Sequence, residues 1–596
     1  MDWDLSAYFP AFDHPQRLDF TRQLRHDLAE AIDAATALPD LTAKTARTWA
    51  DALLSLEDLR ARLSHLSSYL SCLTAAESAH EAYAAAAAEL SALMAHLQKV
   101  VTPLMRGLAD AEADALTTLL QRRELKGATD AVTRLRDHGA ERMSLPEEAL
   151  AADLSVDGIS AWSRLYSELQ GQLNFTLKRP DGSTESVPMS QRRTMLAQPD
   201  RAVRQAAFVG SNVTWAEHRT TLAAALNGVA GTRLTLQQRR GQTDFRRVAA
   251  EDARTSVATL EALFGALEKQ RERAREVFTT RCRLMGLAAG AAYDWNAPLP
   301  QTTGVELSWE TGCALVEQSF DAKYPALADY FREMLQKQHL DYTPRANKRP
   351  GGFCSTSQIT REPRIFMTFQ DTLSEVVTLA HEVGHAWHSV VLRPRRNFAA
   401  SYPMTLAETA STFAEKILVN GILQDPDSSV AAKRALLDSE SQQIISYLLD
   451  IPMRYHFEQA FYRERAEGVV QPSRLNALMV ATQKHVFGDT IADDGVDPLF
   501  WASKQHFYFD AVFFYNFPYV FGYLLSAALM ARFEAEGASF LPAYEAFLGD
   551  TGQMSCEDIV QKHLGEDLTQ QLFWERAIIQ VCDAVADLET VATVGQ

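Results

Sequence analysis

The stretch Thr378-Leu-Ala-His-Glu-Val-Gly-His-Ala-Trp-His388 constrains this chain more tightly than any other. An α-helix turns about 100° per residue. With His381 set at 0°, His385 falls near ~40° and His388 near about −20°, while Leu379, Val383, Val376, Trp387, Val390 and Ala380 fall between about 160° and ~260°. One helix therefore carries a histidine stripe and an apolar stripe on opposite faces, and can bury only the second in a core. Thr372-Leu-Ser-Glu375 is a capping-box pattern that supplies its start.

Imidazoles at i and i+4 project from one face, about 6 Å apart along the axis, and can converge on one ion. Imidazole is an ordinary zinc ligand, and Glu382, between the two histidines, can take a proton from an attacking water. Catalytic zinc sites use three protein ligands and leave a position open, so a third is needed. His388 lies about 10 Å from His381 along the axis, too far to share the ion. The metzincin pattern is excluded, because its later Gly and His positions are occupied by His388 and Val391. Downstream, Leu406, Ala410, Phe413 and Ile417 form an apolar helical arc opposite Glu408, which makes Glu408 a candidate ligand. Thr405-x-x-Glu408 is also a capping box, so spacing alone leaves Glu408 either a ligand or a cap. His388 and Glu415 read as neighbours of the ligands or plain polar residues.

A chain of 596 residues exceeds what one core holds, so more than one lobe is expected. A formal net charge of −18 argues against nucleic acid as a partner. The six cysteines are scattered, none in a CxxC pair, so they do not form a disulfide framework. The start, Met1-Asp-Trp-Asp4, lacks a signal-peptide pattern, and no run approaches the ~20 apolar residues of a membrane span. These features predict a cytoplasmic protein without a membrane partner.

Along the chain, Leu18–Ala37, Lys44–Leu73 and Glu77–Val101 read as long helices. The alanine run inside the third reads as close helix–helix contact, and Pro103 and Pro146 as punctuation between shorter helices. Gln172–Lys178 and Thr184–Val187, joined through Pro180-Asp-Gly-Ser183, read as a hairpin. Helices resume at Arg201–Arg240 and Ala253–Met285. Residues 291–304 and 341–363 read as loops. Arg364–Phe369 reads either as a buried strand or as an edge strand that pairs with an extended peptide through Phe366, Met367 and Thr368. Helical signals return from Arg434 to Leu564, with Asn516-Phe-Pro518 as one helix start. The aromatic run from Phe507 to Tyr523 reads as core, but buried hydroxyls of Tyr508, Tyr515, Tyr519 and Tyr523 would need partners.

Taken together, Thr378–His388 and Thr405–Glu415 resemble the oligoendopeptidase F family of zinc metallopeptidases, relatives of thimet oligopeptidase, neurolysin and Pz-peptidase. Lys348-Arg-Pro-Gly-Gly-Phe-Cys354, His506-Phe-Tyr508, Phe514–Tyr523 and the opening Trp3–Pro10 are similar as well. The resemblance implies that His381, His385 and Glu408 bind one zinc ion, with Glu382 as the base. It implies that His506 and some of Tyr508, Tyr515, Tyr519 and Tyr523 face the zinc, with Tyr519 as first choice for stabilising the oxyanion, His506 as a second donor and the other tyrosines as reserves. It tips Arg364–Phe369 toward substrate binding and places a catalytic domain over 201–596 after an N-terminal helical domain over 1–200. The expected fold is mainly α: two helical lobes around a deep substrate cleft, with a small β-sheet beside the zinc-binding helix. The expected function is zinc-dependent hydrolysis of internal bonds in short unfolded peptides. A zinc carboxypeptidase, or a helical peptide-binding scaffold with a silent zinc site, are the alternatives.

Overall fold

Apolar residues at three- and four-residue intervals give the chain its helices, and helices make up most of the structure. The structure is a computed structural model that describes residues 2–179, 181–300, 302 and 306–593. Pro180 of the hairpin turn and residues 301, 303 and 304 of the loop at 291–304 lie outside the described residues.

The chain packs into two compact units, each made of three segments. The first takes residues 1–142, 306–424 and 529–566; the second takes 143–305, 425–528 and 567–596. Packing thus divides the chain at different places from the expected boundary near residue 200. The long helix Arg201–Arg239 lies in the same unit as Ile159–Gln172, the helix that precedes it across the hairpin.

In the first unit, Pro15–Thr36, Ala46–Ala76 and Glu81–Ala109 are the three expected helices. Leu24, Leu28, Leu53, Leu56, Leu104 and Leu108 are fully buried in their shared core. Pro103 does not end the third helix, which continues to Ala109. A proline removes one backbone donor, but Val100, Val101, Leu104, Met105 and Leu108 bury both sides of it and hold the turn. Most of the alanine run makes no helix–helix contact: Ala82, Ala84, Ala85 and Ala88 are exposed, while Ala86 packs against the shared core. There the alanines serve intrinsic helix propensity rather than packing.

The same unit holds a three-stranded sheet. Pro363–Phe366 is its central strand, parallel to Leu340–Asp341 and antiparallel to Phe353–Thr356, with Phe353 opposite Phe366. This overturns the edge-strand reading of Arg364–Phe369. Both ladder sides of Pro363–Phe366 are already taken, and Ile365, Phe366 and Met367 are at most 1% exposed, so Phe366 and Met367 have no free edge to offer, and Thr368 lies beyond the strand. The free edge belongs to Phe353–Thr356, whose four residues are half-buried. In the second unit the expected hairpin is present as Asn174–Lys178 against Thr184–Pro188. Phe175 and Leu177 point inward in strict alternation.

Candidate metal and catalytic site

The helix Leu373–Val391 begins as its sequence dictates. Thr372 caps the third turn residue's backbone while Glu375 reaches back to the cap, so both halves of the capping box form. In its apolar stripe Val376, Leu379, Ala380 and Val383 are fully buried, while Trp387 and Val390 near its end are half-buried. The opposite stripe meets the helix Met404–Gln424 at close range. A Cβ at Gly384 would stand 2.5 Å from the Ala410 carbonyl oxygen and 2.6 Å from Ser411 Cα. Only glycine permits that approach, and it brings Glu408 to the histidines.

His381 Nε2 lies 3.3 Å from Glu408 Oε2, and His385 Nε2 lies 3.5 Å from the same oxygen. One ligand atom from each of the three residues falls within 4.8 Å of the others. Two imidazole nitrogens and a carboxylate oxygen converging in this way suit zinc by number and by chemical type. Glu408 is therefore not an N-terminal cap: its oxygen faces the histidines and accepts the Ser411 hydroxyl at 2.7 Å. Behind His381, Glu415 Oε2 sits 3.2 Å from Nδ1, a carboxylate placed to fix the ring's tautomer and orientation.

Glu382 is 5% exposed, and its Oε2 has no hydrogen-bond partner. Burial pushes its carboxyl up to about 7, with His381 opposing and Glu408 reinforcing the rise. Burial holds His385 down to about 4. It would lower His381 too, but the carboxylates of Glu408 and Glu415 outweigh it and raise that group.

These residues open onto a cavity of about 540 Å³. Gly352, Phe353, Cys354 and Thr356 of the sheet edge form one wall, and Tyr402 stands on another side. A Cβ at Gly352 would be 3.3 Å from Glu382 Oε1, so the strand's approach runs close to the carboxylate. Gly352 and Ser411 lie inside stretches that carry the resemblance, but nothing in their residue types assigns them a role, and Tyr402 sits outside every motif. His388 does not turn to the cavity. It is fully buried, stacks on Tyr402 at 4.1 Å, and its Nε2 is 2.8 Å from the Thr551 hydroxyl.

The remaining predicted residues lie in the second unit. His506 Nδ1 is 2.8 Å from Asn516 Oδ1. Its ring meets that of Tyr515 edge-on at 4.9 Å, and the Tyr519 hydroxyl donates to the Tyr515 hydroxyl at 2.8 Å. His506 and Tyr519 line a second cavity, of about 580 Å³. Tyr508 does not join them. It is fully buried, stacked on Tyr166 at 3.7 Å, and its hydroxyl has no hydrogen-bond partner. It is a core residue whose ring packing outweighs its phenol's lost hydrogen bond, so the reading of Tyr508 as catalytic is corrected.

A mostly helical fold with a His-Glu-x-x-His helix and a glutamate from the next helix defines the class: a helical peptidase with a metal-type donor set. The family model described as Peptidase family M3 matches residues 194–578, and the one described as Oligopeptidase F matches residues 108–175. The chain belongs to peptidase family M3. Oligopeptidase PepF of Bacillus subtilis is 24% identical over 465 residues, covering 76% of this chain and 67% of that one. The crystal structure of a Chlamydophila abortus protein superposes with a TM-score of 0.84 at 18% identity, over 99% of this chain and 98% of the other. The crystal structure of oligoendopeptidase-F from Enterococcus faecium gives 0.71 at 17%, over 96% and 99%. At these identities the likeness to solved structures carries the fold.

Proposed function

We propose that this peptidase is a zinc-dependent oligoendopeptidase that cuts internal bonds of short, unfolded peptides. The observation that carries the reading is the meeting of His381 Nε2 and His385 Nε2 on one oxygen of Glu408, beside the partnerless carboxylate of Glu382. Zinc held by those three residues would polarise the scissile carbonyl and acidify the attacking water. Glu382 takes the water's proton and passes it to the leaving amine. Glu415 acts through His381, by holding its far nitrogen.

The free edge of Phe353–Thr356 is where an extended peptide adds as a further strand, with main-chain hydrogen bonds supplying affinity that does not depend on sequence. Tyr519, with His506 as a second donor and Tyr515 in reserve, donates to the oxygen that gains charge in the transition state. A net charge of −18 disfavours nucleic acid, and among the described residues no helix is long and apolar enough to cross a membrane. The six cysteines are all free thiols, in keeping with a reduced cytoplasm as the place of action.

The test is metal content and turnover measured together. His381→Ala, His385→Ala and Glu408→Ala each lose tightly bound zinc. Glu382→Gln keeps zinc and loses turnover on an end-blocked peptide. A Glu382→Gln enzyme with near-normal rate would sink the mechanism, and a zinc-replete Glu408→Ala protein would sink that ligand.

A further inference from the structure

In a strongly acidic chain, the cavity of about 580 Å³ in the second unit is cationic. Arg192, Arg193, Arg454 and Lys504 line it against two carboxylates, Asp450 and Asp497. Both carboxylates are already engaged. Both oxygens of Asp450 accept from one edge of the Arg454 guanidinium, through Nε and Nη2. Asp497 takes Arg192 at 3.1 Å and the Asn212 amide at 3.0 Å. Lys504 is left without an acidic partner among the described residues. Its Nζ rests 4.8 Å over the Phe500 ring, a cation–π contact that neutralises nothing. Burial and the nearby guanidiniums of Arg454, Arg192 and Arg193 hold its ammonium down to about 7, against the opposing pull of the Asp450 carboxylate, which forms no ion pair with it.

A second orphan stands in the same wall. Asn516 is 2% exposed and its Nδ2 has no acceptor. The amide cannot be turned round to cure this, because Arg454 Nη1 donates to Oδ1 at 2.9 Å and fixes which end is oxygen. A half-buried ammonium and a buried amide, both donors and both without a hydrogen-bond acceptor among the described residues, are costly unless something binds them.

We propose that this cavity is a carboxylate-binding pocket, in which Lys504 receives a carboxylate of the peptide substrate. The inference rests on the peptidase reading, which supplies a ligand with such a group. A peptide offers two sources, its C-terminus and its Asp or Glu side chains. Neither motif containing the metal ligands predicts Lys504; in sequence it is only a lysine two residues before His506.

The experiment uses the full-length, zinc-loaded Glu382→Gln protein and calorimetry with three versions of one short peptide. They are the free acid without acidic side chains, its C-terminal amide, and that amide carrying one internal Glu. The free acid should bind about tenfold or more tightly than the plain amide, in the range of a charged hydrogen bond. Adding Lys504→Met should bring the two within about twofold, and Lys504→Arg should retain much of the preference. Replacing a half-buried charge that forms no ion pair by an apolar chain of similar length does not threaten folding, and a melting curve on the same sample verifies it. If the internal Glu, rather than the chain end, gains the Lys504-dependent affinity, the pocket reads a side-chain carboxylate. Equal affinities for all three peptides in the parent, or a preference that survives Lys504→Met, overturn the inference. Its failure is separable from that of the peptidase reading. With Glu382 restored, cleavage of acid and amide at equal KM leaves the peptidase and removes only the pocket, whereas cleavage of neither removes the peptidase.

Discussion

At the residue scale, the clearest consequence concerns Tyr519. Its hydroxyl donates to Tyr515 at 2.8 Å, and it lines the same cavity as His506. Tyr519→Phe removes one oxygen and almost no packing volume. If that hydroxyl serves the transition state, kcat falls by about 10²–10³ with KM little changed. If it serves only Tyr515, kcat stays within about threefold and the melting temperature drops modestly, as for a neutral hydrogen bond of about 1 kcal/mol. Measuring both on one zinc-loaded sample separates the roles; an unchanged kcat moves the assignment to Tyr515. The histidines were legible from spacing because a helix converts sequence distance directly into direction. Glu408 was not decidable that way. Whether it capped its own helix or faced the other depended on a contact between residues far apart in sequence. Tyr508 misled for the related reason that a motif's neighbours need not share its orientation: stacking on Tyr166 turns it into the core.

At the scale of elements, Gly384 decides how the metal helix and its partner meet. The atoms a Cβ would strike, the Ala410 carbonyl oxygen and Ser411 Cα, are backbone and cannot rotate away. Gly384→Ala must push Met404–Gln424 outward and carry Glu408 from the histidines. Overpacking of this kind costs about 1–3 kcal/mol, so melting temperature and zinc stoichiometry should fall together; full zinc binding would show that the helix pair yields without moving Glu408. A second element-scale device is Glu458, on the helix Ile451–Glu467. It is buried, and its Oε1 accepts the backbone N–H of Phe514 at 3.0 Å, where φ is +50°. Burial pushes its carboxyl up to about 8, opposed by that N–H and by Arg233 and Arg454; Tyr462 also lies close to it. The folded pKa is above the unfolded value near ~4.3, so the folded state binds the extra proton. Its stabilising contribution is complete below that value and is lost as pH rises through about 8. Glu458→Gln should therefore gain stability relative to the parent between pH ~5.5 and ~8.5, on the order of a few kcal/mol. A gap between the two proteins that does not change with pH would refute the assignment.

At the scale of the whole molecule, the mainly helical architecture and the hairpin were legible because both rest on local periodicity. The division into units was not, since each unit is assembled from three separated segments and periodicity carries no information about which segments meet. The sheet illustrates the same limit. A strand was recognisable over Arg364–Phe369, but not the neighbours that occupy both its sides, and so the edge proposed for the peptide is Phe353–Thr356. That edge sets the last prediction. A substrate must present an extended backbone to pair there, and it must thread into a cavity of about 540 Å³ beside His381 and Glu382. A folded domain can do neither without first unfolding locally, and a long flexible chain loses more conformational entropy on threading than a short one. A decapeptide should be cut readily, a folded protein not at all, and casein far more slowly per susceptible bond than the decapeptide. Replacing Cys354 by proline, at the middle of the edge strand, removes a backbone donor there and should raise KM for every peptide regardless of sequence, with zinc content unchanged. Casein digested as fast as the decapeptide would mean that the site is open to long chains, and the length limit would have to be abandoned.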